Sequence, residues 1–272
     1  MSGVGAARPG PTVGSTDLLK LAGLVLVVVD HVGLFFAPDQ EAWRVAGRCA
    51  APIFFFLIGY TGARPVPWTW LVLGALLTAT DHVTSSDTSL NILLNFALLR
   101  TALPHIQAWI GGRAAPGADG PSPGDAGAAW RTALLAGGLV LLIPVLDPHL
   151  EYGAEGWLWA LLGLWQRRAV EAPGWEAART RDGVAAVTAL AYTWREIADH
   201  EFEGAEAAAL LVLVAGLALL LTRFRRVPLR RRPPPVLARP LAFAGRHSLE
   251  LYAASLFLMQ VAAYALGFEA GE

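Results

Sequence analysis

An aspartate and a histidine stand side by side within a long apolar stretch, LVLVVVDHVGLFF, as Asp30 and His31. An ionisable group inside a membrane helix costs free energy and by default marks a candidate functional site. Imidazole has an ordinary pKa of about 6.5, so His31 could exchange protons near neutral pH. Consecutive helical residues point about 100° apart. Asp30 is therefore not expected to orient His31 directly, although a carboxylate on another helix could do so.

Two arginines, Arg44 and Arg48, follow this stretch. If the N-terminus is cytoplasmic, they lie on the outer side of the membrane, where positive charge should be rare. The guanidinium fork suits a carboxylate partner or an anionic substrate equally well. The sequence offers Asp39 and Glu41 as nearby partners. It leaves open whether the arginines form ion pairs or bind a substrate.

Two further side chains stand near the ends of apolar stretches. Lys20 is the single lysine of the chain and precedes His31 by 11 positions. At 1.5 Å per residue the two are roughly 16 Å apart along a helix axis. His82 follows Asp81 at the end of a later apolar stretch. It either lies at a solvated helix end or belongs to a functional site.

The composition identifies the class of protein to which these residues belong. Of 272 residues, 55% are hydrophobic and 16% are charged, and the mean hydropathy is +0.47. A soluble domain carries about a quarter charged residues, and a disordered chain is less apolar. A single cysteine, Cys49, excludes an internal disulfide and a cysteine metal cluster. The net charge of −1 gives no basic field for nucleic acid. We predict an integral, multi-pass membrane protein without a metal or a nucleic-acid partner.

Apolar stretches long enough to cross a bilayer predict an all-α transmembrane bundle of about nine spans. Five stretches are clear and four are weaker, and the predicted spans are 18–37, 48–63, 68–80, 90–110, 130–146, 154–168, 184–198, 206–222 and 241–266. With a cytoplasmic N-terminus, all but three of the 21 basic residues fall on the inner side; the exceptions are Arg44, Arg48 and Arg195. We predict a disordered tail over 1–16, a single domain over 17–272 and a flexible cytoplasmic linker over 111–128.

Several of these residues together resemble the N-terminal signature of the TraX family of membrane acetyltransferases, within the wider transmembrane acyltransferases. The signature is a Lys, an Asp-His pair ten and eleven residues on, a Gly-Arg, a Pro and a Phe-rich run, and the matching residues are Lys20, Asp30, His31, Gly47, Arg48, Pro52, Phe54 and Phe56. LNILLNF is similar to a Leu-Asn-Ile segment and adds Asn91. EYGAEG is similar to a Tyr-Gly-x-x-Gly element and adds Tyr152. The Phe-rich run ends at Gly59-Tyr60 without the His-Thr-Arg stretch expected of pilin-modifying members.

The resemblance implies an enzyme of a bacterial inner membrane that takes an acetyl group from cytosolic acetyl-CoA. It delivers this acyl group to an acceptor at or beyond the outer face, which could be a peptide amine, a sugar or a lipid head group. His31 with Asp30 would be catalytic. The residues that would bind acyl-CoA or the acceptor are Lys20, Arg44, Arg48, Asn91, His82 and Tyr152. Membrane lipids are further expected partners, through the arginine-rich segment near 223–239.

Two other functions compete with the acyltransferase at this point. A proton-coupled transporter would use Asp30, His31 and Arg48 as a proton relay. A membrane scaffold without catalysis would leave the Asp-His pair unexplained. A transporter would usually carry internal repeats with broken helices in paired positions, and the sequence shows no convincing repeat.

Overall fold

The computed structural model describes residues 13–62, 64–84, 89–111, 126–229 and 234–266. These residues form helices joined by turns, with isolated β-bridges such as the one between Leu90 and Leu150. The helices in chain order are α1 (Ser15–Phe36), α2 (Glu41–Gly47), α3 (Ala50–Thr61), α4 (Trp68–Thr84), α5 (Ile92–Gly111), α6 (Ala126–Leu146), α7 (Gly153–Glu171), α8 (Trp175–His200), α9 (Gly204–Leu221), α10 (Pro235–Arg246) and α11 (Ser248–Leu266). The all-α prediction is confirmed over this part of the chain.

Four of the described helical segments are long and apolar enough to cross a membrane. They are Ser15–Phe36, Glu41–Thr61, Gly127–Leu146 and Gly204–Leu221, and Ser248–Ala263 is a shorter apolar helix. The structure therefore supports a membrane protein with several apolar helices. The count of nine spans and the cytoplasmic N-terminus stay predictions.

Two of the predicted spans differ from the helices observed. The second span was predicted to begin at residue 48, but helix already begins at Glu41 and turns at Arg48. The last span was predicted as one helix over 241–266, but His247 separates α10 from α11. Close to this break the carbonyl of Gly245 accepts a hydrogen bond from Lys20 Nζ at 2.9 Å, from a different helix.

Most of the predicted tail and linker lies outside the described residues. Of the tail, residues 13–16 are described, and α1 already begins at Ser15. Of the linker 111–128, residue 111 ends α5 and residues 126–128 begin α6.

The centre of the bundle is the pair α3 and α7, which approach each other through glycines. A Cβ added at Gly59 of α3 would lie 1.8 Å from the carbonyl oxygen of Ala160. A Cβ at Gly163 of α7 would lie 2.1 Å from the carbonyl oxygen of Phe56. Small residues let membrane helices pack at this distance, where dispersion contacts hold them together. This packing gives α3 a fixed position, from which its other face helps to line the cavities described next.

Candidate functional site

A cavity of about 290 Å³ brings together five of the eight residues predicted for the site, Asp30, His31, Arg44, Arg48 and Tyr152. Its walls come from α1, α2, α3, α5, α7, α8, α11 and the loop between α6 and α7. We call it the His31 cavity.

Asp30 lies at the centre of an ion-pair network in this cavity. Its carboxylate accepts hydrogen bonds from Arg48 Nη2 at 2.8 and 2.9 Å and pairs with Arg44 Nη1 at 2.9 Å. On its other side, Arg48 Nη1 is 3.5 Å from Glu196 Oε2 on α8. The carboxylate partner of both arginines is thus Asp30. The nearby Asp39 and Glu41, which the sequence offered as partners, do not form these contacts.

Gly47 allows this network to form where α2 crosses α1. A Cβ at Gly47 would lie 2.2 Å from Cβ of Asp30 and 2.4 Å from its Oδ1. Any larger residue would push the carboxylate away from the arginines on either side of position 47. The Gly-Arg of the sequence signature therefore has a direct structural role.

His31 lies beside the network rather than within it. The ring is packed between Phe35, at 6.2 Å between centroids, and Tyr252 of α11, at 6.0 Å. Nδ1 is buried and has no hydrogen-bond partner among the described residues. Among the described residues, no carboxylate from another helix is hydrogen-bonded to this nitrogen.

The loop before α7 places Tyr152 against the same cavity. Tyr152 has a left-handed backbone, with φ of 55° and ψ of 32°, which is strained for a residue with a side chain. The loop is held to α5, since the Glu151 carboxylate accepts the Ile92 N–H at 2.8 Å and Asn95 donates to the Glu151 carbonyl at 2.9 Å. Burial raises the pKa of the Tyr152 phenol, so its hydroxyl stays protonated.

Sequence reasoning missed several polar residues of the cavity, most of which come from the end of α8. These are Asp147, Glu151, Glu155, Glu196, Asp199 and His200, with the outer-side Arg195. Arg195 forms ion pairs with Asp147 and Asp199. The run REIADH, which ends a long helix, carried a signal, because four of its six side chains are ionisable acids or bases at i, i+1, i+4 and i+5 spacing.

The three other predicted residues lie elsewhere. Asn91 is buried just before α5, where its side-chain oxygen accepts the Leu93 N–H at 3.1 Å, and it is not among the residues that line the His31 cavity. His82 is exposed at the end of α4 and lines none of the cavities described here. The prediction that His82 belongs to the site is not supported by this placement.

Lys20 lies in a second cavity, of about 310 Å³, which we call the Lys20 cavity. Arg64, Arg100 and Arg246 line it together with one acid, Glu250. The Arg100 guanidinium lies 4.3 Å from the centroid of the Trp70 ring and donates to the Pro65 carbonyl at 3.1 Å. This cavity is therefore basic, and it lies at the opposite end of α1 from His31.

A known sequence family matches the part of the chain that contains most of the residues lining these cavities. The sequence profile of the family described as "TraX protein" matches residues 15–233 of the chain. The chain belongs to the TraX family. The matched region includes every predicted site residue from Lys20 to Tyr152, whereas Leu249 and Tyr252 of α11 lie beyond it.

Two curated relatives share shorter stretches with the chain. It is 41% identical to Protein TraX of Escherichia coli over 51 residues, which are 19% of the chain and 21% of the relative. It is 41% identical to an uncharacterised protein of Rickettsia prowazekii over 44 residues, which are 16% of the chain and 18% of the relative. The chain thus matches about a fifth of the length of each of these two relatives. No solved structure matches it.

Proposed function

We propose that this TraX-family chain is a membrane-embedded acyltransferase of a bacterial inner membrane. It moves an acyl group, usually acetyl, from cytosolic acyl-CoA to an acceptor at or beyond the outer face, with His31 as the catalytic residue. The observation that carries the proposal is the pairing of a basic cavity at Lys20 with a polar cavity at His31, at two levels of one helix. Each cavity suits one of the two substrates.

The Lys20 cavity has the charge that the phosphates of acyl-CoA require. Lys20 and three arginines line it, and phosphate oxygens bind well to both kinds of cation. Positive-inside asymmetry places this end of α1 toward the cytosol, where acyl-CoA is found. The same placement puts the His31 cavity nearer the outer face.

The length of the acyl-CoA arm agrees with the separation of the two cavities. Phosphopantetheine has about thirteen bonds from phosphorus to sulfur, so at the reach of an extended chain it spans about 15 Å. Lys20 and His31 are roughly 16 Å apart along α1. A phosphate held near Lys20 would therefore bring the thioester to the level of His31.

The His31 cavity carries groups for each part of the transfer. A ring nitrogen of His31 takes the proton of an acceptor amine or hydroxyl, whose nitrogen or oxygen attacks the thioester carbonyl. The carbon–sulfur bond then breaks, and the CoA thiolate leaves with the proton from the imidazolium. Arg44, which is less buried than Arg48, would stabilise the negative charge that develops on the carbonyl oxygen. Asp30 holds Arg44 and Arg48 in place for this role.

The test is to supply the purified protein, in lipid nanodiscs, with acetyl-CoA labelled in the acetyl group. We expect release of free CoA thiol and labelled product when candidate acceptors are added, namely a peptide amine, an amino sugar or a lipid amine. Mass spectrometry identifies the product and any acetyl group left on the protein. If the labelled acetyl group is transferred neither to an acceptor nor to water, the acyltransferase proposal is wrong.

A proton-coupled transporter remains the second candidate because Asp30, His31, Arg48 and Glu196 line one cavity. In the structure, however, Asp30 is already bonded to two arginines and is therefore poorly placed to pass a proton to His31. Proteoliposomes with a pH-sensitive dye inside separate the two functions. Proton flux coupled to a solute, without consumption of acetyl-CoA, would favour the transporter.

Lys20→Gln is expected to weaken the binding of CoA about tenfold or more. A hydrogen bond to a charged group contributes about 1.5–3 kcal/mol, and glutamine removes the charge at similar length. Isothermal titration with CoA, which lacks the acyl group, measures affinity without turnover. Arg179→Gln is the matched control, because Arg179 is also basic and predicted to lie on the inner side but is not among the residues that line the Lys20 cavity. Equal affinities of the two variants would contradict the phosphate-binding role.

A further inference from the structure

Two side chains line both the Lys20 cavity and the His31 cavity, Phe54 of α3 and Leu249 of α11. Both are buried. We call this pair the partition, because the two cavities lie on either side of it.

Neighbouring contacts place the partition between the two ends of α1. A Cβ at Gly23 of α1 would lie 2.9 Å from Cε2 and 3.1 Å from Cζ of the Phe54 ring. Gly23 follows Lys20 by one helical turn and precedes His31 by about two turns. Leu249 likewise stands between Gly245, whose carbonyl binds Lys20, and Tyr252, which packs against His31.

We propose that Phe54 is a gate between the two cavities and that its ring turns aside to admit the linear thioester arm of acyl-CoA. This inference rests on the proposed acyltransferase function. It makes Phe54 a positioning residue, since its ring decides whether the arm reaches His31 without taking part in the transfer.

Of the three phenylalanines in this run, Phe54 is the one that lines the two cavities. The next two residues are fully buried, and a Cβ at Gly156 of α7 would lie 2.4 Å from the Phe55 ring. Phe54 points about 100° away from Phe55, with empty volume in both cavities beside it. A change of side-chain rotamer therefore opens the partition while the α3–α7 contact stays intact.

A closed partition also has a clear physical purpose. The two cavities face opposite sides of the predicted membrane, and a permanent polar passage between them would let water and ions cross. An aromatic ring against Leu249 and Gly23 excludes water when no arm is present. The gate would thus let the acyl-CoA arm reach His31 and still keep water and ions from crossing the membrane.

Thiol labelling tests the gate without requiring turnover. In a Cys49→Ala background, a reporter Leu34→Cys lines the His31 cavity. An anionic, membrane-impermeant methanethiosulfonate is added to sealed proteoliposomes on the Lys20 side only. A separate reporter, Thr61→Cys, which lines the Lys20 cavity, identifies that side. We expect Phe54→Ala to raise the labelling rate of the Leu34→Cys reporter at least tenfold.

Leu57→Ala is the matched control, because Leu57 lies one turn from Phe54 and lines the Lys20 cavity alone. We expect Leu57→Ala to leave the labelling rate unchanged. If Phe54→Ala yields no folded protein, Leu249→Ala carries the same expectation from the other residue of the partition. A rate unaffected by opening the partition, or equally raised by Leu57→Ala, overturns the gate.

The gate and the acyltransferase can fail separately in this design. Faster labelling in Phe54→Ala together with no acetyl-CoA consumption by the wild type would show that Phe54 separates the two cavities, but it would contradict the proposed function. Unchanged labelling together with His31-dependent consumption of acetyl-CoA would contradict the gate alone.

Discussion

Replacing His31 by alanine is expected to lower acetyl-CoA consumption about 100-fold or more while the protein stays folded. General acid–base catalysis contributes about 10²–10⁴-fold, and His31 is the base assigned to the proposed transfer. The fold should tolerate the change, because Nδ1 has no hydrogen-bond partner among the described residues that truncation would leave unpaired. Release of the CoA thiol, followed with a chromogenic disulfide, measures the rate.

His82→Ala is the matched control for this loss. It removes a histidine of the same outer side that is exposed and lies outside the cavities, so we expect the wild-type rate. Mass spectrometry of the His31 peptide after rapid quenching adds a second readout. An acetyl group on that peptide indicates an acyl-histidine intermediate, whereas its absence favours general-base catalysis. Equal rates in His31→Ala and the wild type would remove His31 from the mechanism.

Replacing Asp30 by asparagine is expected to destabilise the protein by about 3–5 kcal/mol, because it leaves the buried Arg48 and the partly buried Arg44 without their shared carboxylate. Arg44 and Arg48 both bond to Asp30 at 2.8–2.9 Å. The desolvation of these guanidinium groups is offset mainly by that carboxylate, since Glu196 is 3.5 Å from Arg48. At roughly 2–4 °C per kcal/mol for a chain of this size, the thermal midpoint in nanodiscs should fall about 10 °C.

A second substitution distinguishes loss of the ion pair from loss of packing. Arg44→Met in the Asp30→Asn background removes the guanidinium whose ion pair was with Asp30, so it should restore part of the lost thermal midpoint. Asp39→Asn is the control, because Asp39 is exposed in the turn between α1 and α2, and we expect no measurable change. If Asp30→Asn melts at the wild-type temperature, the network does not stabilise the fold.

Much of the site could be predicted because polar side chains inside apolar stretches are rare and stand out. Asp30 and His31 were singled out on this ground, whereas Arg44 and Arg48 stood out as exceptions to the positive-inside pattern. The structure places all four in one cavity. The resemblance to the TraX family, carried by the same residues, is confirmed by the family match over residues 15–233. The acetyltransferase activity that the resemblance implies stays a proposal.

Other parts of the site could not be predicted because they depend on contacts between distant segments. Glu196 and His200 are separated from His31 by more than 160 positions and occur in a run that looks like an ordinary polar helix end. They reach the cavity only because α8 packs along α7, which in turn packs on α3. Tyr252 arrives from α11, beyond the matched region of the family.

Apolar stretches, composition and charge were enough to predict the helical class, the apolar character and the short set of ionisable residues that need an explanation. These are local properties, so they can be interpreted without knowing which helices touch. The packing of the helices was needed to show that Asp30 is the partner of Arg44 and Arg48, that Lys20 and His31 line different cavities, and that Phe54 and Leu249 line both. Those facts depend on which faces of α1, α3, α8 and α11 meet, and glycines at 23, 47, 59 and 163 set how closely they do so.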